Sequence, residues 1–200
     1  MNIGILDYGV GNLGSLANMI RYINHKPIIS SSIKDLTECK IIFIPGVGHF
    51  DKAIDRLALN DNISRLKDYG SDCGKHIAGI CLGMHILCNS SEEGSVPGLG
   101  LLDANIKSFR EAGISQVPHM GWNIVDDSNM PFSLGNQNRF YFCHSFYCPK
   151  SESSERSLIS TYEIDFTSFL WNKNIIGIQF HPEKSGMNGV NFLKSLLQSI

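Results

Sequence analysis

Three short runs of this chain are apolar from end to end: Ile3-Gly4-Ile5-Leu6, Ile41-Ile42-Phe43-Ile44 and Ile77-Ala78-Gly79-Ile80. A half-exposed strand alternates apolar and polar residues, whereas an uninterrupted run is buried on both faces. Each run ends in a glycine-bearing turn and is followed by helical spacing. Leu13, Leu16, Ala17, Ile20 and Ile23 mark the first helix. Asp51 is placed to cap a second that turns Ile54, Leu57 and Ala58 inward, and a short third covers residues 63–69. With a further strand at Lys26–Ser30, this alternation predicts an α/β chain with a parallel sheet covered by helices on both faces.

Past residue 99 the pattern changes. Residues 99–109, 116–125, 140–147, 158–162 and 166–171 are strand-like, with little helical spacing between them. They predict antiparallel strands, either added to an edge of the parallel sheet or forming a small sheet of their own. Asn172-Lys173-Asn174 is turn chemistry and is expected to close a hairpin into a strand over residues 175–180. Val190, Leu193, Leu197 and Ile200 mark a last amphipathic helix, and the polar residues 151–156 read as a solvated loop. No linker or repeat interrupts the chain, so residues 1–200 are expected to form one domain.

One strand-to-helix junction carries chemistry. Gly79-Ile80-Cys81-Leu82-Gly83 sets a glycine two positions to either side of a cysteine, the nucleophile-elbow pattern with sulfur in place of oxygen. Such a turn exposes the side chain at the strand end, beside the positive end of a helix, where an anionic sulfur is stabilised. Far downstream, Gln179-Phe180-His181-Pro182-Glu183 also follows an apolar strand. His181 stands out among seven histidines because Glu183 lies two residues on and Pro182 fixes the backbone between them. Glu183 can accept a hydrogen bond from one ring nitrogen and leave the other facing sulfur. Cys81, His181 and Glu183 are then the nucleophile, base and orienting acid of a triad. Pro45-Gly46-Val47-Gly48 follows another strand at the same predicted sheet edge. Glycines there let the backbone N–H groups of Val47 and Gly48 approach a developing oxyanion, with the N–H of Leu82 as a further donor.

Other features narrow the function by exclusion. Gly9-Val10-Gly11-Asn12-Leu13-Gly14 has the glycine spacing of a dinucleotide site. Such a site needs an acidic residue about twenty positions on, where this chain has Ser30, Ser31 and Ser32, so the glycines are read as a tight turn. Charged residues make up 18% with a net charge of -2 and no basic run, which gives nucleic acid or an acidic membrane surface nothing to hold. The first residues lack a basic region and a cleavage site, and no apolar stretch approaches the ~18 residues of a membrane span. Six cysteines with neither a secretion signal nor a C-x-x-C pair are read as reduced thiols of a cytoplasmic protein. Cys88 is core filling on this reading, and no metal site is expected.

Six runs occur in order along nearly the whole chain: Asp7-Tyr8-Gly9-Val10-Gly11-Asn12-Leu13, Pro45-Gly46-Val47-Gly48-His49-Phe50, Gly79-Ile80-Cys81-Leu82-Gly83-Met84, Val117-Pro118-His119-Met120-Gly121-Trp122-Asn123, Tyr141-Phe142-Cys143-His144-Ser145-Phe146-Tyr147 and Gln179-Phe180-His181-Pro182-Glu183-Lys184-Ser185. Together they resemble the triad-type (class I) glutamine amidotransferases, and within them the branch of glutaminase subunits of imidazole glycerol phosphate synthases. The resemblance implies a flavodoxin-like three-layer sandwich with a central mostly parallel sheet, helices on both faces and antiparallel strands added in the second half. It implies hydrolysis of L-glutamine without a cofactor, in a heterodimer with a (β/α)₈-barrel cyclase subunit that receives the ammonia. It implies a weak glutaminase until that partner binds its ligand, with the backbone of residues 45–48 rearranging to complete the oxyanion hole. By the same resemblance Gly48, His85, His144, Ser145 and Phe146 line the glutamine pocket, and Asn12, Trp122, Tyr141 and Lys184 face the partner. The chain departs from the pattern at His85, where glutamine is usual, at Phe146, where tyrosine is common, and at Gly186, where a larger polar residue is usual. A sister branch supplies ammonia to a sugar-modifying amidotransferase of surface polysaccharide synthesis, and Phe166-Thr167-Ser168-Phe169 has some of its character. A stand-alone cysteine hydrolase and a non-catalytic regulatory or scaffold subunit are the readings from other classes.

Overall fold

The structure, a computed structural model, describes residues 1–126, 138–150 and 156–200. The first half runs β1 (Asn2–Leu6), α1 (Leu13–Tyr22), β2 (Lys26–Ser30), β3 (Ile41–Gly46), α2 (Phe50–Ala58), α3 (Asn62–Ser71), β4 (His76–Cys81) and α4 (Leu82–Leu87). The second half adds β5 (Ser90–Ser91), β6 (Asn105–Ser108), β7 (His119–Ile124), β8 (Arg139–His144), β9 (Phe146–Pro149), β10 (Arg156–Tyr162), β11 (Ile164–Asn172), β12 (Ile175–Ile178) and α5 (Gly186–Gln198). Among the described residues the main sheet is ordered β2-β1-β3-β4-β12-β11-β9-β6-β5, with β10 pairing β11. The strands from β2 to β12 in that order are parallel. β11 pairs antiparallel with β12, β10 and β9, β9 pairs antiparallel with β6, and β6 and β5 close the order as a short parallel pair, while β7 and β8 form a separate antiparallel pair. The two arrangements expected as alternatives occur together: the second half extends the main sheet and also builds a small one.

Neighbouring residues of a parallel strand serve opposite cores. Ile41 and Phe43 of β3 pack with Leu16 and Ile20 of α1 and Phe192 and Leu196 of α5. Ile42 and Ile44 pack with Leu57 of α2, Leu66 of α3 and Ile86 of α4. Side chains alternate with a period of two, so one unbroken apolar run feeds both faces at once. The mixed α/β sandwich follows: helices on each side of a mostly parallel sheet, as the apolar runs require.

Local expectations need three corrections. Helix α2 is capped by His49, whose Nδ1 accepts the Asp51 N–H at 3.3 Å. The Asp51 carboxylate instead accepts the N–H groups of Ser95 and Val96, and the buried face is Phe50, Ala53 and Leu57, with Ala58 exposed. Residues 140–147 are not one strand but break at Ser145 into β8 and β9, which join different sheets. The His144 ring donates from Nδ1 to the Phe146 carbonyl at 2.8 Å, and the Ser145 carbonyl accepts the Phe109 N–H, so the chain bends there. Of residues 99–109 only β6 is a strand. The N–H groups of Leu99, Leu101 and Leu102 go to the carbonyls of Ile86 and Leu87, satisfying acceptors that a helix end leaves open.

Two further sequence features find their place. Phe166, Thr167, Ser168 and Phe169 lie in β11 and are wholly buried, so they offer a partner no surface. Residues 151–155 of the polar run lie outside the described residues. Among the described residues no helix is long and apolar enough to cross a membrane.

Candidate active site

Strand β4 lies between β3 and β12, with Cys81 opposite Gly46 on one side and Ile80 opposite Ile178 on the other. This register brings residues 45–48, Cys81 and His181 to the carboxyl rim of three adjacent parallel strands, the edge where open α/β sheets bind ligands. Cys81 has φ +54° and ψ −110°, a conformation that costs a side-chain-bearing residue strain. Packing enforces it. A Cβ on Gly83 would lie 1.8 Å from the Ile44 carbonyl oxygen, and one on Gly79 would lie 2.4 Å from the Gly83 oxygen. The two glycines of the elbow thus serve the close approach of α4 to β3 and β4, while the unusual backbone angles fall on the cysteine itself.

His181 is 2% exposed, and its Nδ1–H donates to Glu183 Oε1 at 2.8 Å. The Cys81 side chain also acts on this ring, and with Nδ1 taken by Glu183 the nitrogen left for the sulfur is Nε2. Burial pulls this imidazole down, but the Cys81 hydrogen bond and the Glu183 carboxylate outweigh it and push the ring up to about 10. The Cys81 sulfur has two more neighbours: the Cys143 carbonyl oxygen at 3.8 Å and the Gln179 side-chain nitrogen at 3.9 Å. Glu183 Oε2 is buried with no hydrogen-bond partner among the described residues.

The sulfur opens on a cleft of about 300 Å³. Val47, Gly48 and Leu82 line it on one side and Ser145 and Phe146 on another, so the expected oxyanion and pocket residues are brought together around Cys81. Gly48 has φ +115° with open space about it, so glycine is required there by the backbone angle and not by crowding. His144 also lines the cleft, but both of its ring nitrogens are engaged. Nδ1 donates to the Phe146 carbonyl, and Nε2 accepts from His119 Nδ1 at 3.0 Å. Burial lowers both rings, His119 to about 4, which keeps them in the neutral forms this chain of bonds needs. His85 lines the cleft with its Nε2–H donated to Gln179 Oε1 at 2.9 Å.

Glu93 is a cleft residue that sequence reasoning missed. Ser91-Glu92-Glu93-Gly94 reads as a solvated acidic turn, and its one signal is its place just past β5, a short way beyond the helix that begins at the cysteine. Glu93 Oε2 accepts the Phe50 N–H at 3.1 Å, and burial holds its carboxyl above the ordinary value. Of the residues expected to face a partner, three cluster. Lys184 Nζ stands 5.7 Å from the centroid of the Tyr141 ring, and Trp122 meets that ring edge-on at 6.3 Å. The Asn12 side chain is occupied at the start of α1, where its Oδ1 accepts the Ser15 N–H at 3.4 Å. Among the described residues no group of side chains could hold a metal ion.

A thiol, an imidazole and a carboxylate in series, opening on a cleft of this size, can carry out acyl transfer. The sequence model of the glutamine amidotransferase class-I family matches residues 5–197. The chain belongs to that family. Its relatives within the glutamine amidotransferases include imidazole glycerol phosphate synthase subunit HisH 2 of Methanococcus maripaludis, 38% identical over 98% of each chain. Imidazole glycerol phosphate synthase subunit HisH of Leptospira interrogans is 39% identical, over 96% of this chain and 98% of its own. A crystal structure of a glutamine amidotransferase superposes over 99% of both chains with a TM-score of 0.74 at 12% identity, which speaks for a common amidotransferase fold. The cysteine elbow and the His-Pro-Glu turn thus sit in an enzyme domain of this family.

Proposed function

We propose that this chain is the glutaminase subunit of an imidazole glycerol phosphate synthase, hydrolysing L-glutamine at Cys81 and handing the ammonia to a (β/α)₈-barrel cyclase subunit for histidine biosynthesis. The observation that carries this reading is the series Cys81–His181–Glu183, whose first two members line the cleft. The full-length relatives that bear the synthase's name support the choice of pathway.

Glutamine enters with its α-ammonium toward the Glu93 carboxylate and its side-chain amide over Cys81. The sulfur attacks the amide carbon, and the backbone N–H groups of Leu82 and of Val47 or Gly48 receive the oxyanion. His181 gives a proton to the amide nitrogen as the C–N bond breaks, leaving a γ-glutamyl thioester and ammonia. The neutral ring then takes a proton from water as the water oxygen bonds to the acyl carbon, and glutamate leaves as the thiolate returns. Glu183 keeps the Nδ1–H edge occupied throughout. Ammonia released to bulk water at neutral pH becomes ammonium and loses its nucleophilic lone pair, so direct transfer to a docked partner preserves the product's reactivity. Trp122, Tyr141 and Lys184, with Met120 and Ile124 exposed on the same small sheet, support docking on that face.

The test is glutamate release with the cognate cyclase and its ligand present. Cys81→Ala is expected to abolish release while ammonium salts still support product formation by the complex. Release that is unchanged in Cys81→Ala overturns the assignment.

A further inference from the structure

The side chains of His85, Gln179 and Cys81 form a line of hydrogen bonds that the triad chemistry leaves unused. Gln179 is wholly buried and His85 is 3% exposed. The Gln179 backbone N–H is anchored on the Ser168 carbonyl at 2.9 Å, so its side chain reaches from the end of β12 to the elbow between β4 and α4. At that elbow its amide has two ends and two neighbours. His85 Nε2 lies 2.9 Å from Oε1, and Cys81 Sγ lies 3.9 Å from Nε2.

Which end faces sulfur is a matter of charge. A thiol can place its proton on the Cys143 carbonyl, 3.8 Å away, but a thiolate gains nothing from that oxygen and needs donors. An amide turned the other way would set a second carbonyl oxygen against the anionic sulfur. The 2.9 Å contact of His85 Nε2 with Oε1 assigns the ring proton to Nε2, and a ring protonated there forbids that turn, because it requires the amide oxygen as its acceptor. Burial pushes His85 down to about 4, so the ring remains a neutral single donor wherever the enzyme works.

We propose that Gln179 is a positioning residue for the Cys81 sulfur, donating an N–H to the thiolate, and that His85 fixes the direction of its amide. This role rests on Cys81 being the nucleophile proposed above. It gives His85, in the place where the family usually has glutamine, a partner in the protein: its Nε2 is spent on Gln179 and is not the group that reads the substrate.

The experiment follows alkylation of Cys81 by iodoacetamide at neutral pH, resolved at the peptide level by mass spectrometry, alongside kcat and KM for glutamate release by the complex. Removing a hydrogen bond to a charged group costs roughly a factor of ten or more. Gln179→Leu and His85→Phe are therefore each expected to slow alkylation about tenfold and to lower kcat about tenfold, with KM within about twofold of wild type. Gln179→Glu, with the same shape and an acceptor in place of the donor, is expected to lose more than either. His85→Gln, whose amide can donate to Gln179 Oε1 but can also accept from a turned amide, is expected to fall between wild type and His85→Phe in both rates. Should Gln179→Leu fail to fold, His85→Phe carries the same test with Gln179 in place. Alkylation and kcat at wild-type levels in His85→Phe, or a raised KM with unchanged kcat, overturn the proposal. Iodoacetamide does not need the glutamine reaction. Slowed alkylation in the variants of a protein that releases no glutamate would leave the positioning role standing and remove the glutaminase reading.

Discussion

At His181, burial and charge act in opposite directions, and the neighbours decide the result. The ring is nearly inaccessible, which by itself disfavours the imidazolium, yet the Cys81 hydrogen bond and the Glu183 carboxylate raise it to about 10. An unfolded histidine titrates near ~6.5, so the folded state binds this proton more tightly than the unfolded one. The corresponding stabilisation is complete below about pH 6.5 and is lost as pH rises through about 10. Glu183→Gln keeps the shape and the hydrogen-bonding edge but removes a charge. Its His181 ring resonances, followed by NMR, are expected to titrate at a clearly lower pH than in wild type, with glutamate release reduced on the order of 10²-fold. A ring that titrates unchanged would mean that Glu183 does not hold the proton there. Residue-level legibility divides along the same line. His181 and Glu183 share one turn, so their spacing alone announces the pair. His85 and Gln179 come from distant stretches of chain that only the folded sheet brings together, and nothing in either local pattern announces their contact.

Elements were legible where apolar runs are continuous and poorly legible where side chains bond to the backbone. Strands β1, β3 and β4 follow from composition because each feeds two cores. The break between β8 and β9 depends on an imidazole bonding a carbonyl two residues away, and the α2 cap depends on a histidine rather than the acid beside it. Neither is a property of hydrophobic periodicity. The glycines sort by the same physical test. Gly83 sits where a Cβ would overlap the Ile44 carbonyl at 1.8 Å, whereas Gly14, in the first turn of α1, has nothing within 4 Å. Gly83→Ala is expected to destabilise the protein by about 3 kcal/mol, the upper end of ordinary overpacking costs, and to disrupt the elbow that presents Cys81. Gly14→Ala is expected to be neutral or to stabilise by about 0.5–1 kcal/mol through helix propensity. Urea unfolding of the two variants measures both. A destabilised Gly14→Ala would give the third glycine of the Gly9–Gly14 motif a role that packing does not show.

For the molecule as a whole, the decisive fact is strand order. β12 is the last strand in the sequence yet pairs parallel with β4 in the middle of the sheet, and this alone sets His181 beside Cys81. Hydrophobic patterning names the strands but not their neighbours, because pairing across such a separation is chosen by the assembled core. The same assembly gathers Trp122, Tyr141 and Lys184, from β7, β8 and the turn at Pro182–Lys184, onto one face. Trp122 is 49% exposed, with Met120 at 60% and Ile124 at 55% on the same strand. Lys184 also lines the cleft, so this face continues into the site beside Cys81. An exposed aromatic next to a cation is the kind of side chain that dominates binding energy once desolvated by a partner. Trp122→Ala removes that anchor from the surface and touches neither the elbow nor the His181–Glu183 pair. It is expected to raise the Kd for the cognate cyclase subunit, measured by titration calorimetry, by about 30-fold, corresponding to roughly 2 kcal/mol at a central contact. The melting temperature of the isolated subunit should stay at its wild-type value. Cyclase turnover with ammonium salts should persist, while glutamine-dependent turnover falls at subunit concentrations below the new Kd. An unchanged Kd would place the partner on another face and would separate the ammonia exit from the Trp122 cluster.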